Sequence, residues 1–148
     1  MISTSTMIID QSEVNLDLRQ FAFRVSGQQN PDNDALRMHG EIGLGESDTQ
    51  LIERYCKSAA SYIYSILFKV MKFVPSNGKY TFTFYCHIDP NKTKELLHTF
   101  FVKYCEWQWS LMHLVGESDL LKRELDEVEQ RLRKLAFRVE RPTLNDWI

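Results

Sequence analysis

The chain is poor in the residues and spacings that announce chemistry. It has three cysteines, Cys56, Cys86 and Cys105, in 148 residues. An odd number at wide spacing does not read as a disulfide framework. Two of them fall in expected helices, where any small apolar residue would serve, and a reducing compartment follows. Neither CxxC, HxxxH nor HxxE occurs, so His87, His98 and His113 with Cys86 and Cys105 lack the short paired spacing of a zinc site. Cys105 as a nucleophile would need a histidine and a carboxylate brought to it in space, and a packed helix cysteine is the commoner reading. Proline (4) and glycine (6) are sparse and fall at breaks. No apolar run approaches the length of a membrane span, and the opening MISTSTMIIDQ has no basic region leading into an apolar core. Secretion and membrane insertion are therefore disfavoured, and the cytoplasm is expected.

Charge of one sign is missing too. The net charge is −2 and the isoelectric point about 6.1, with acids and bases interleaved. This excludes the electrostatic footprint of a protein that grips nucleic acid unaided. The densest basic run, Arg131, Arg133, Lys134, Arg138 and Arg141, alternates with acids. The glycines of GEIGLG, Gly40, Gly43 and Gly45, imitate a phosphate loop, but no strand leads into them, Glu41 and Glu46 would repel phosphate, and no lysine follows. No catalytic residue, cofactor site or metal site is assigned, and the chain reads as a non-enzyme.

What is present is helical periodicity over about one domain's length, enough to bury roughly two thirds of the surface of the unfolded chain. The stretch around which the rest is expected to be organised is residues 47–72. Ile52, Tyr55, Cys56, Ala59, Ile63, Ile66, Leu67 and Val70 form one wide helical face there. Ser47 with Gln50 reads as a capping box, with Asp48 in the first turn. Leu51, Tyr62, Tyr64 and Phe68 lie outside the stripe, so this helix wants cover on two sides.

Residues 1–11 read as an arm, free or docked, with an apolar knot at Met7, Ile8 and Ile9. Residues 12–26 fit either a strand, through Val14, Leu16 and Leu18, or a helix, through Val14, Leu18, Phe21 and Val25. Ser12 as N-cap and Gly27 as stop favour the helix. Residues 28–46 form a long loop of the kind that usually has a task or a partner. After a turn of Val74, Pro75, Ser76, Asn77 and Gly78, residues 79–88 alternate as a strand, with Tyr80, Phe82, Phe84, Cys86 and Ile88 on one face. Its partner is open: the segment before the turn, the N-terminal arm, or another copy of the protein.

Asp89 and Pro90 open the next helix in N-cap, N1 order, and it should run to about Val115 before Gly116. Leu97, Phe100, Phe101, Tyr104, Leu111 and Leu114 make its stripe, with Trp107 and Trp109 on different sides. Ser118 caps a last helix in which Leu121, Leu125, Val128, Leu132, Leu135 and Val139 are spaced 4, 3, 4, 3 and 4, a coiled-coil seam with a charged back. Pro142 stops it, and residues 142–148 are a tail ending in Trp147 and Ile148.

The expected fold is mainly α: a bundle of about four helices with one β-strand or short hairpin. The division is an arm (1–11), a helical domain (12–141, with the loop 28–46) and a tail (142–148). Surplus apolar and aromatic groups are what a subunit completed by its neighbours displays. On that ground Tyr80, Phe82, Phe84, Trp107, Trp109, Leu125, Val128, Leu132, Leu135, Trp147 and Ile148 are the candidate interface residues.

A resemblance sharpens this expectation. DTQLIERYCKSAASYIYSIL, then a turn and KYTFTFYCHI, then ELLHTFFVKYCEWQWSLM, looks like the small head-to-tail connector (adaptor) proteins of tailed bacteriophages, particularly those of phages and prophages of gut Bacteroidales. The matching positions are Asp48, Leu51, Ile52, Ala59, Ala60, Tyr62 and Ile63 in the first helix, and Leu97, Phe101, Trp107 and Trp109 in the second. The resemblance follows element order over roughly residues 12–141; the Gly-rich loop and the charged last helix depart from it. It implies a virion neck protein assembled in the host cytoplasm as a ring of about twelve copies, bridging portal and tail around a DNA channel without binding DNA specifically. The rival from a different class is a cytoplasmic helical adaptor or regulatory protein, a dimer zipped from Leu121 to Val139.

Overall fold

A computed structural model of the chain describes residues 4–29, 49–113 and 115–137, apart from the side chains of residues 23, 25–29, 49, 113 and 137. The element order is β1 (Ser5–Asp10), α1 (Gln11–Gln29), α2 (Thr49–Leu67), β2 (Met71–Ser76), β3 (Lys79–Phe84), α3 (Pro90–His113), a 3₁₀ turn (Val115–Glu117) and α4 (Ser118–Phe137). The fold is mainly α, as expected. The β part is larger than expected: a three-stranded antiparallel sheet in the order β1-β3-β2.

The strand at residues 79–88 therefore has two partners in its own chain. β2 joins it through Asn77 and Gly78, both at positive φ (50° and 78°), the backbone that a two-residue hairpin turn requires and that Asn-Gly supplies with little strain. β1 covers its other side, so the N-terminal segment, one of the three open partners, docks on it as an edge strand over residues 5–10. Pairing ends at Phe84 rather than Ile88, although the alternation persists: Tyr80, Phe82, Phe84 and Cys86 are buried and Ile88 half-buried.

Asp10 ends β1 and caps α1. Its Oδ1 accepts hydrogen bonds from the Ser12 amide (3.0 Å) and hydroxyl (2.8 Å), so the N-cap is Asp10 and not Ser12. Those bonds, the backbone one first, hold its carboxyl below the usual range. Gly27 lies within the helix and does not stop it. Helical spacing wins over strand spacing here because Val14 and Leu18 are fully buried while Leu16 is 59 % exposed.

α2 keeps its stripe, with Ile52, Cys56, Ala59, Ile63 and Leu67 at 0 % exposure, but it ends at Leu67, and Met71 and Lys72 belong to β2. Ser47, half of the capping box with Gln50, and Asp48 lie outside the described residues. The organising element is α3 instead. It packs on α1, α2, α4 and β1, its Phe101 ring meets Tyr80 at 5.5 Å and Phe82 at 5.8 Å, and Trp109 meets Phe21 edge-on at 5.7 Å. Asp89 caps it, Oδ1 accepting from the Asn91 amide at 3.0 Å. It ends at His113; Gly116 sits in the 3₁₀ turn, and Ser118 donates to the Val115 carbonyl at 2.7 Å.

The heptad seam of α4 is consumed at home. Its Leu121, Leu125, Val128 and Leu132 are buried, in the helix that packs most extensively on α3; Leu135 is half-buried, and Ala136 rather than Leu135 continues the buried face. Val139 lies outside the described residues.

Candidate functional site

Chemistry-bearing side chains are dispersed. Among the described residues no three His, Cys, Asp or Glu side chains converge as a cation site, and no helix is long and apolar enough to cross a membrane. Cys56, Cys86 and Cys105 are buried, and none is in a disulfide. Contact with Cys56, then burial, pushes the Cys105 thiol well above its usual range, the reverse of an activated nucleophile. His98 is engaged with Asp17 at 2.7 Å, tying α3 to α1, and His87 is exposed. The side chain of His113 and the glycines Gly40, Gly43 and Gly45 lie outside the described residues.

The polar contacts between helices join elements to one another. Lys103 reaches Glu124 across α3 and α4 at 2.6 Å and Glu106 at 3.6 Å. Burial opposes the Lys103 charge, but the hydrogen bond to Glu124 and the field of Glu106 hold its pKa above the ordinary value. Glu106 is itself pushed up by burial, with Lys103 opposing. The Tyr62 hydroxyl donates to Glu129, which also accepts from Arg133 at 3.1 Å. Burial and that carboxylate raise Tyr62 to about 12. An open groove of about 450 Å³ runs between α3 and α4. Leu96 and Leu135 line it, flanked by Lys92, Arg131, Lys134 and Glu95.

Most of the candidate interface residues belong to the core. Tyr80, Phe82, Phe84, Trp109, Leu125, Val128 and Leu132 are between 0 % and 6 % exposed, so none of them is offered to a partner in this fold. Trp107 is half-buried, packing on Tyr104 at 5.8 Å under the Lys122 ammonium at 5.0 Å. Leu135 is half-buried in the groove wall. Trp147 and Ile148 lie outside the described residues.

Among the described residues, exposed large apolar side chains stand on the outer face of the sheet (Ile8, Val74 and Tyr85), singly on α1 (Leu16), and in two clusters at the ends of the helices. At one end, Tyr64 (42 %) and Phe68 (55 %) stand beside half-buried Phe73. Tyr64 meets Phe68 at 6.4 Å and Phe73 at 5.5 Å, and Phe73 stacks on buried Phe82 at 5.8 Å. This aromatic file runs from the core out to the free edge of β2. At the other end, Leu111 (44 %), Met112 (63 %), Val115 (68 %) and Leu120 (49 %) surround the α3–α4 connection. α2 and α3 run antiparallel, since Tyr55 contacts Met112 (3.4 Å) and Tyr62 stacks on Phe100 (5.7 Å). The two surfaces thus lie at opposite ends, about 20 Å apart along α2 at 1.5 Å per residue.

Sequence reasoning half found the first surface: Tyr64 and Phe68 fall outside the α2 stripe, which marks them as needing other cover. It read Val74, Pro75 and Ser76 as part of a turn where the structure has the end of β2, so it missed Val74 on the outer face of the sheet, and it took Leu111 for core. Compared with known protein families, curated proteins and solved structures, the chain finds no match.

Proposed function

We propose that the chain is a structural subunit of a tailed-phage virion neck, a head-to-tail connector that forms a ring of about twelve copies between portal and tail. DNA passes through the ring without specific contact, and assembly takes place in the host cytoplasm. The observation that carries this reading is the pair of exposed apolar surfaces at opposite ends of a chain whose core is filled from within. A subunit that must touch neighbours in more than one direction needs separate sticky surfaces. An enzyme needs converging polar groups, and the pairs His98–Asp17, Lys103–Glu124 and Tyr62–Glu129 instead tie helices together.

A dimer zipped along α4 is less well supported, because the seam is already packed inside the chain. The test is light scattering over a concentration series, alone and with a candidate portal protein. A discrete high-order ring, or a monomer that assembles only on the portal, is expected. A stable dimer indifferent to both concentration and portal overturns the reading.

A further inference from the structure

The geometry points to a specific joint between copies: the β2 edge of one copy takes up β1 of the next as a parallel strand, so that the sheets of the ring run on from subunit to subunit. The inference rests on the ring reading above and supplies its contact. β1 and β2 are the outer strands, and among the described residues no further strand flanks either. Both pair antiparallel with β3, so they point the same way. A rotation that repeats the subunit therefore sets β2 beside the next β1 in parallel, with no reversal of direction.

The backbone parity matches as well. Two bonds that continue the ladders fix it: the Tyr85 amide donates to the Val70 carbonyl (2.7 Å), and the Gln11 amide to the Gly78 carbonyl (2.8 Å). Alternation along each strand then turns the amide and carbonyl of Lys72, Val74 and Ser76 toward β3 and those of Met71, Phe73 and Pro75 outward. On β1 the groups of Ser5, Met7 and Ile9 face β3, and those of Thr6, Ile8 and Asp10 face outward. The strands are also level, because Val74 and Ile8 both lie opposite Thr81, and Phe73 and Met7 both lie opposite Phe82.

In a parallel ladder an outward residue bonds the two neighbours of the residue level with it. Phe73, set level with Met7 of the next copy, meets the outward groups of Thr6 and Ile8 there without any stagger. Side chains agree with the backbone: Val74 (63 % exposed) and Ile8 (46 % exposed) come side by side on the outer face. Pro75 lacks an amide hydrogen and forfeits one bond of this ladder. In a two-fold pairing of β2 with itself, centred on Phe73, it forfeits two.

Oxidative cross-linking of the full chain tests the joint. The variants are Ile8→Cys, Val74→Cys and the double variant, oxidised with glutathione disulfide and read on non-reducing gels. The native cysteines are buried, and positions 8 and 74 flank Thr81 about 10 Å apart, too far for an internal disulfide. The double variant is expected to give a ladder of linked oligomers, and each single variant none. Dimers from Ile8→Cys alone would mean a two-fold contact through β1 and overturn the joint, as would a double variant that stays unlinked. Ile8→Pro gives an independent measurement, because the amide it removes points away from β3. Growth of mass with concentration should be lost, with the circular dichroism spectrum unchanged. A ring, formed alone or on the portal, whose double-variant subunits stay unlinked overturns the joint and leaves the neck reading standing.

Discussion

The seam of α4 and the aromatic file at the end of α2 look alike as sequence and differ as surfaces. Both are rows of large apolar side chains at helical spacing beside charged neighbours. Leu125, Val128 and Leu132 end up between 1 % and 6 % exposed against α3, whereas Tyr64 and Phe68 remain 42 % and 55 % exposed. The difference comes from what the chain has available to cover each. The seam faces another long helix across a connection of four residues, 114–117, and short helix–helix connections favour antiparallel neighbours. The aromatic file sits where α2 gives way to a narrow sheet whose outer strand has nothing beyond it among the described residues. An apolar stripe therefore shows that cover is needed, and only the connectivity shows who provides it.

This contrast can be broken by substitution. The largest effect is expected in the seam: Leu132→Ala should lower the free energy of unfolding by about 2–5 kcal/mol, read from urea denaturation, with any change in assembly following from unfolding. A medium effect is expected where neither burial nor partner contact is at stake. Asp10→Ala removes the α1 cap and should cost about 1 kcal/mol at pH 7. The folded state depresses the Asp10 pKa below 3.8, so the carboxylate's contribution is present above the unfolded value. It is lost as pH falls through the folded one. The gap between Asp10→Ala and the parent should therefore close in denaturation curves below about pH 4. The smallest stability effect belongs to the aromatic file: Phe68→Ser should move unfolding by no more than about 0.5 kcal/mol. The same variant should weaken association by light scattering. A large stability loss from Phe68→Ser, or assembly that survives it, would erase the distinction between the two regions.

The helices were legible because one period and one local cue sufficed. The spacing of Val14, Leu18 and Phe21, the Asp89-Pro90 start of α3 and the stripe of α2 all act within a few turns of chain. The strand at residues 79–84 was legible for the same reason, and Asn77-Gly78 marked its hairpin. What depended on distant residues was not legible. The N-terminal arm stood among three open partners for the strand, because Ser5–Asp10 carries no signal that selects Phe84–Lys79 over the others. The seam was read as a dimer interface because spacings of 4 and 3 fit a partner helix in the same chain as well as one in another. The candidate surface inherited that error: the residues chosen were the most apolar ones, and those are the residues a core takes first.

The pairing of β1 with β3 also sets an order of events when the chain is made. β2 and β3 are joined by two residues and can pair as soon as both exist, on the microsecond scale of hairpins. β1 must wait for a strand about seventy residues downstream, some 4–15 s of synthesis at the usual elongation rates. Until Phe84 has emerged, the first strand of the protein has no place to go. Any fragment that stops short of that residue carries Met7 and Ile9 uncovered at its start, and its fate rests with whatever captures exposed strands in the cell.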